Sequence, residues 1–76
     1  MNWRNYIEAN PQILYGKPVI KNTRSPVDLL LNKMSEGETI DGLIQAYPRL
    51  NKEAIFAVLA FAAESIKNQK VYSIAS

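Results

Sequence analysis

Apolar positions recur at helical spacing over three stretches of this chain, and the last of them, Asn51 to Lys67, dominates the pattern. There Ile55, Val58, Leu59, Ala62 and Ile66 form one apolar face. Phe56, Ala60 and Ala63 form a second, with Ala57 and Phe61 filling between them. Polar residues hold only the ends, Asn51, Lys52 and Glu53 at the start and Glu64, Ser65 and Lys67 at the finish. A helix that is apolar all round is a buried helix. The other elements of so short a chain are too few to cover it. This helix is therefore expected to pack against another protein chain through Phe56, Ala57, Ala60, Phe61 and Ala63. Alanines at such a face permit close helix approach. The competing expectation is ordinary burial beneath the N-terminal segment, with Trp3 and Tyr6 covering Phe56 or Phe61.

Two shorter helices are predicted upstream. Ser25-Pro26-Val27-Asp28 is a start signal: Ser25 as cap, Pro26 at the first helical position, and Asp28 where a capping-box acid sits. Val27, Leu30, Leu31 and Met34 then follow at helical spacing, and Gly37 is the expected left-handed stop. Thr39 caps the second helix, with Asp41 in its first turn, Ile40, Leu43, Ile44 and Tyr47 facing inward, and Pro48 ending it. Asn51 caps the third. About four residues join the second and third helices, the spacing of a helix-turn-helix. Before them, extended pieces at Tyr6–Ala9 and Pro18–Lys21 are expected to pair as a small ribbon, after a turn at Asn10-Pro11. Near the end, Val71-Tyr72-Ser73-Ile74 alternates as an edge strand would, or frays. The expected organisation is one domain: a ribbon or arm at 1–24, a trihelical core at 25–67 and a tail at 68–76.

Composition narrows the function. With 76 residues the chain lies where one hydrophobic core is marginal and where association helps. It contains neither cysteine nor histidine, so it has no disulfide, no thiol chemistry and none of the commonest transition-metal ligand. No apolar run approaches the roughly 20 residues of a membrane helix, and the first residues lack a signal-peptide core, so a cytoplasmic location is expected. The net charge is only +2, which permits a nucleic-acid partner without demanding one.

Two basic groups are candidates for contact with nucleic acid or with an acidic protein. Arg49, Asn51 and Lys52 stand at the turn into the third helix, where a helix-turn-helix meets DNA. Glu53 and the apolar Phe56, Ala60 and Ala63 argue against groove reading by that helix. Lys17, Lys21 and Arg24 form the second group, with Arg4 and Lys70 as neighbours. The plainer expectation is that Arg24 pairs with Asp28 or braces the entry to the first helix, and that the lysines are solvated. Glu36, Glu38 and Asp41 cluster in sequence as magnesium ligands could, but Glu38 and Asp41 are better explained as helix N-terminal acids. Ser25 and Thr39 have no histidine to activate them, so no enzyme activity, cofactor or metal is expected.

A set of short motifs then points to a family. These are Asn10-Pro11, Gly16-Lys17-Pro18-Val19-Ile20, Thr23-Arg24-Ser25-Pro26-Val27, Glu36-Gly37-Glu38-Thr39-Ile40, Tyr47-Pro48-Arg49-Leu50 and Ala60-Phe61-Ala62-Ala63-Glu64. Together, over about residues 3–64, they resemble domain-of-unknown-function family 433, small bacterial, archaeal and especially cyanobacterial proteins. The family pattern has glycine before Thr-Arg, where this chain has Asn22, and a second glycine where it has Tyr15. Asparagine still tolerates the left-handed backbone. The resemblance implies a mainly α, homeodomain-like three-helix bundle behind a short N-terminal β ribbon. It also implies a VapB-like antitoxin that neutralises a PIN-like nuclease toxin and regulates its own operon, with no catalytic residue. The combined expectation is an antitoxin-like, non-enzymatic module, a homodimer through the third helix, whose ribbon or tail docks the nuclease. The alternative is a transcriptional regulator that binds double-stranded DNA.

Overall fold

A computed structural model describes residues 1–68; the tail strand expected at Val71–Ile74, and Lys70, lie outside them. Two short strands, β1 (Ile7–Glu8) and β2 (Val19–Ile20), pair antiparallel, with Ile7 opposite Ile20 and Glu8 opposite Val19. Three helices follow: α1 (Val27–Ser35), α2 (Ile40–Ala46) and α3 (Lys52–Lys67). The architecture is mainly helical with a two-stranded antiparallel sheet, in the expected order.

The strands are shorter than the expected pieces because other bonds take over at once. The Lys21 amide donates to Tyr6, while those of Ile20 and Val27 donate to Ser25 and Pro18 across the turn that follows β2. Asn22 enters that turn at φ 64, the left-handed conformation expected of it. The Thr23 hydroxyl closes the turn by donating to the Ile20 carbonyl at 2.8 Å and accepting from the Ser25 amide at 3.1 Å. In the preceding loop Tyr15 takes φ 57 with its side chain fully exposed, and Gly16 takes φ 84. The departure from glycine at position 15 thus leaves the backbone left-handed, at a cost on the order of 1 kcal/mol for a non-glycine residue.

The helix caps follow the sequence, with one exception. Thr39 Oγ1 accepts from the Gly42 amide at 3.0 Å, and Asn51 Oδ1 accepts from the Ala54 amide at 2.8 Å. Gly37 turns left-handed at φ 101 after α1. Ser25, expected to cap α1, does not: the cap position is Pro26, without a side-chain bond. The backbone of Ser25 is committed to the bridge between β2 and the start of α1, which moves the helix start one residue on.

The core gathers on α3. Ile55, Ala57 and Val58 have no exposed surface, and neither do Leu30 of α1 and Val19 of β2. Ile7, Ile20, Val27, Leu43, Leu50 and Ala54 complete the buried set, with Leu31, Met34, Ile40 and Ile44 packed at its margin. The far end of α3 is closed by the N-terminal arm. The Trp3 ring meets Phe61 edge-on, with centroids 4.8 Å apart, and its indole N–H donates to Glu64 at 2.8 Å. Arg4 stacks on Trp3 at 4.3 Å and lies 3.6 Å from the same carboxylate.

This packing corrects the expected faces of α3. Ala57 is fully buried, so it has no surface to offer a partner. Phe61 is covered by Trp3, the outcome of the competing expectation. Conversely Leu59 and Ile66, grouped by periodicity with Ile55 and Val58, are 42% and 65% exposed. They lie on the outward side with Phe56, itself 43% exposed, and Ala63.

Two consequences are measurable by urea unfolding. Asn51→Ala is expected to cost about 1 kcal/mol through the lost cap, while Ser25→Ala, which removes no cap, stays within about 0.5 kcal/mol. Phe61→Ala is expected to cost about 3 kcal/mol as a large-to-small core change, and Phe56→Ala at least about 2 kcal/mol less, since its ring lies largely outside the core. Equal losses at positions 56 and 61 would contradict the assigned faces.

Candidate functional site: a cationic groove and an apolar helix face

The turn after β2 and the turn between α2 and α3 lie side by side. Between them opens a groove of about 690 Å³, lined by Glu8, Ile13 and residues 22–25 on one side and 46–49 on the other. A second hollow of about 480 Å³ shares Asn22, Thr23 and Arg49 with it and adds Lys21 and Asn51. Arg49 is therefore common to both, and its guanidinium donates to the Asn22 carbonyl at 3.4 Å, a long and weak bond. Arg24 and Arg49 thus line the first hollow, with Glu8 as its acidic member, and Lys21 and Arg49 the second, which adjoins it through Asn22, Thr23 and Arg49. All three cations are exposed.

The structure regroups the basic candidates. Lys21 and Arg24, assigned by sequence to the ribbon arm, join Arg49 and Asn51 from the helix turn. Asn51 lends its Oδ1 to the cap of α3. Lys17 does not join them: its ammonium lies 3.4 Å from Asp28, and both line a separate hollow of about 220 Å³ with Leu31 and Phe61. Asp28 therefore pairs with Lys17, not with Arg24 as the plainer expectation had it. Lys52 is exposed at the start of α3 and lines neither hollow of the groove. Arg4, counted as a neighbour of the arm, is engaged with Trp3 and Glu64 instead.

Arginine suits this position. Its planar guanidinium presents paired donors that match carboxylate or phosphate oxygens, so Arg24 and Arg49 can each take an anionic group in a forked geometry. Lys21 adds a mobile point charge at the rim. Exposed charges of this kind contribute to orientation and encounter rate more than to affinity.

The second surface is the outward side of α3. Phe56, Leu59, Ala63 and Ile66 are spaced three, four and three residues apart and form one stripe along the helix. Of these the sequence reading had assigned Phe56 and Ala63 to an interface, together with Ala60, which is half-buried beside the stripe. Leu59 and Ile66 were grouped with the other face, because an all-apolar helix carries no polar stripe to fix its rotation. Among the described residues, no helix is long and apolar enough to cross a membrane.

Comparison with known proteins places this arrangement. Residues 7–62 match the family model described as "Protein of unknown function (DUF433)". Over 52 residues the chain is 33% identical to the uncharacterized protein y4eO of Sinorhizobium fredii (strain NBRC 101917 / NGR234). That match covers 68% of this chain but only 24% of the relative. The crystal structure of a DUF433 member protein from Anabaena variabilis ATCC 29413 superposes with a TM-score of 0.78 at 28% identity. The superposition covers 84% of this chain and 63% of that one, so the chain spans less than two thirds of either relative's length. The β ribbon, three helices and matched motifs together mean that the chain belongs to the DUF433 family of proteins of unknown function.

Proposed function

We propose that this protein is an antitoxin-like binding module that pairs through the outward face of α3 and engages an acidic protein partner with its cationic groove. The observation that carries the reading is that Arg49 of the α2–α3 turn lines two adjoining hollows, one with Arg24 and the other with Lys21, both from a segment far away in sequence. Both segments are held by backbone bonds: the 20–25 turn by its internal hydrogen bonds, and the 47–50 turn by the Leu50 amide donating to Tyr47 at 2.9 Å. A preformed cationic surface loses little freedom on binding. The resemblance to VapB-like antitoxins supplies the partner class, a PIN-like nuclease whose metal-binding cleft is acidic. Arg24 and Arg49 at the rim of such a cleft would compete with the metal for its carboxylates or screen them, and either effect lowers nuclease activity.

DNA binding is the second reading, favoured by the position of Arg49 and Lys52 on either side of the entry to α3. The outward residues Phe56, Leu59 and Ala63 present no hydrogen-bonding groups to base edges. On this reading the groove holds phosphates, and binding depends steeply on salt while discriminating little between sequences.

Titration calorimetry with the product of the neighbouring gene, assayed for nuclease activity, tests the first reading. The wild type is expected to bind and inhibit it, and Arg24→Glu with Arg49→Glu to weaken binding at least about tenfold with the fold intact. An unchanged affinity in that double variant would overturn the groove as the docking site. Titration with duplex DNA from upstream of the gene, at about 50 and 200 mM salt, tests the second. Saturable, salt-sensitive binding lost in the same variant, with none to the nuclease, replaces the first reading by the second.

A further inference from the structure

The outward face of α3 complements itself, and we infer that it is covered by a second copy of this chain running antiparallel, with the two-fold axis beside Ala60. The inference rests on the pairing proposed above and specifies its geometry. Residues 56, 59, 63 and 66 alternate in steps of three and four, the a and d spacing of a two-helix seam. Three of the four are large apolar side chains exposed by 42% or more, on a 16-residue helix whose opposite side is the core. A stripe of this kind on a small domain is a contact surface.

Size and charge select the antiparallel direction. In an antiparallel pair each a position faces a d position of the partner. Phe56 then lies opposite the partner's Ile66, and Leu59 opposite the partner's Ala63, a large residue against a small one. In a parallel pair Phe56 would face Phe56 and Ala63 would face Ala63, crowding one layer and leaving a void at another. The charges agree. Glu53 and Lys67 flank the seam on one side, seven residues before and after Ala60, and both are exposed. Antiparallel packing puts each Glu53 beside the partner's Lys67, so the opposite-charge contact forms twice. It also brings the two Ala60 residues together on the axis, where a small side chain permits close approach. Parallel packing sets no opposite charge across the seam, because the other flank carries the apolar Ile55 and Ala62. The seam is about three turns long, which corresponds to a small and therefore weak interface.

The chain has no cysteine, so pairs of single-cysteine variants report the direction directly. Phe56→Cys mixed with Ile66→Cys is expected to give a covalent dimer on mild oxidation, as is Leu59→Cys mixed with Ala63→Cys. Phe56→Cys alone is expected to stay uncrosslinked. Its two copies would stand about 15 Å apart along the axis at 1.5 Å per residue, beyond the roughly 7 Å that a disulfide spans. Sedimentation of the wild type between about 10 and 300 µM is expected to show reversible dimerisation of the strength of a small interface. Glu53→Lys and Lys67→Glu are each expected to weaken it about fivefold, and an equimolar mixture of the two to restore it. A dimer in which Phe56→Cys crosslinks to itself overturns the antiparallel geometry and leaves pairing through α3 standing. A dimer unaffected by Leu59→Glu overturns the face itself. A wild type that stays monomeric throughout overturns the pairing, while the groove stands or falls by the nuclease titration.

Discussion

Everything in this small domain depends on one side of α3. Ile55, Ala57 and Val58 are completely enclosed, and each other element of the core contributes to that enclosure. Leu30 comes from α1, Leu43 from α2, and Ile7 and Ile20 from the ribbon. A chain of this length buries a smaller share of its surface than a larger domain does, so no contributor is dispensable. The N-terminal arm shows the point most clearly. Helices α1 and α2 are 9 and 7 residues long and α3 is 16, so the short helices leave its last turns unattended. Trp3 supplies the cover, with its ring on Phe61 and its indole N–H on Glu64. The bond reaches across 61 positions of sequence and ties the start of the chain to the end of its longest helix.

The ribbon does more than fill the remaining side. Two residues per strand are far too few for independent stability. The ribbon persists because its inner residues are core residues and because the turn after it is closed by backbone bonds and the Thr23 hydroxyl. That turn in turn displays Lys21 and Arg24 next to the α2–α3 connection. The cationic groove is thus a product of the fold's stapling: the bonds that hold the ribbon to the helices also set the positions of the charges.

What could be read from the sequence was local. Thr39, Asn51 and Gly37 act where short-range chemistry says they should, and Asn22 takes the left-handed turn that a glycine would otherwise take. The cap assigned to Ser25 failed because a longer-range demand, the bridge from Val19 to Pro26, claimed that segment of backbone. The rotation of α3 was not legible for a different reason. When nearly every position is apolar, periodicity gives the presence of a helix but not which side faces in. Only the burial of Ala54 and Ala57 and the cover of Trp3 on Phe61 settle that Leu59 and Ile66 face out. The gathering of Lys21 and Arg24 with Arg49 was equally out of reach, since it depends on two turns about 25 residues apart meeting in space.

The two surfaces bear on each other through the geometry of pairing. In an antiparallel α3 pair the axis lies beside Ala60, about ten residues from Asn51 at the groove end. At 1.5 Å per residue the two groove ends would then stand about 30 Å apart along the pair. A helical turn of duplex DNA is about 34 Å, so two-fold related grooves at this separation come close to successive faces of one duplex. The same separation leaves each groove clear of the other and free to take its own protein partner. A parallel pair would instead bring both sets of cations to one end, where Lys21, Arg24 and Arg49 of each copy would repel their counterparts. On the proposed pairing, the direction of the helix pair is therefore what would let the apolar face of α3 be covered while both cationic grooves stay open.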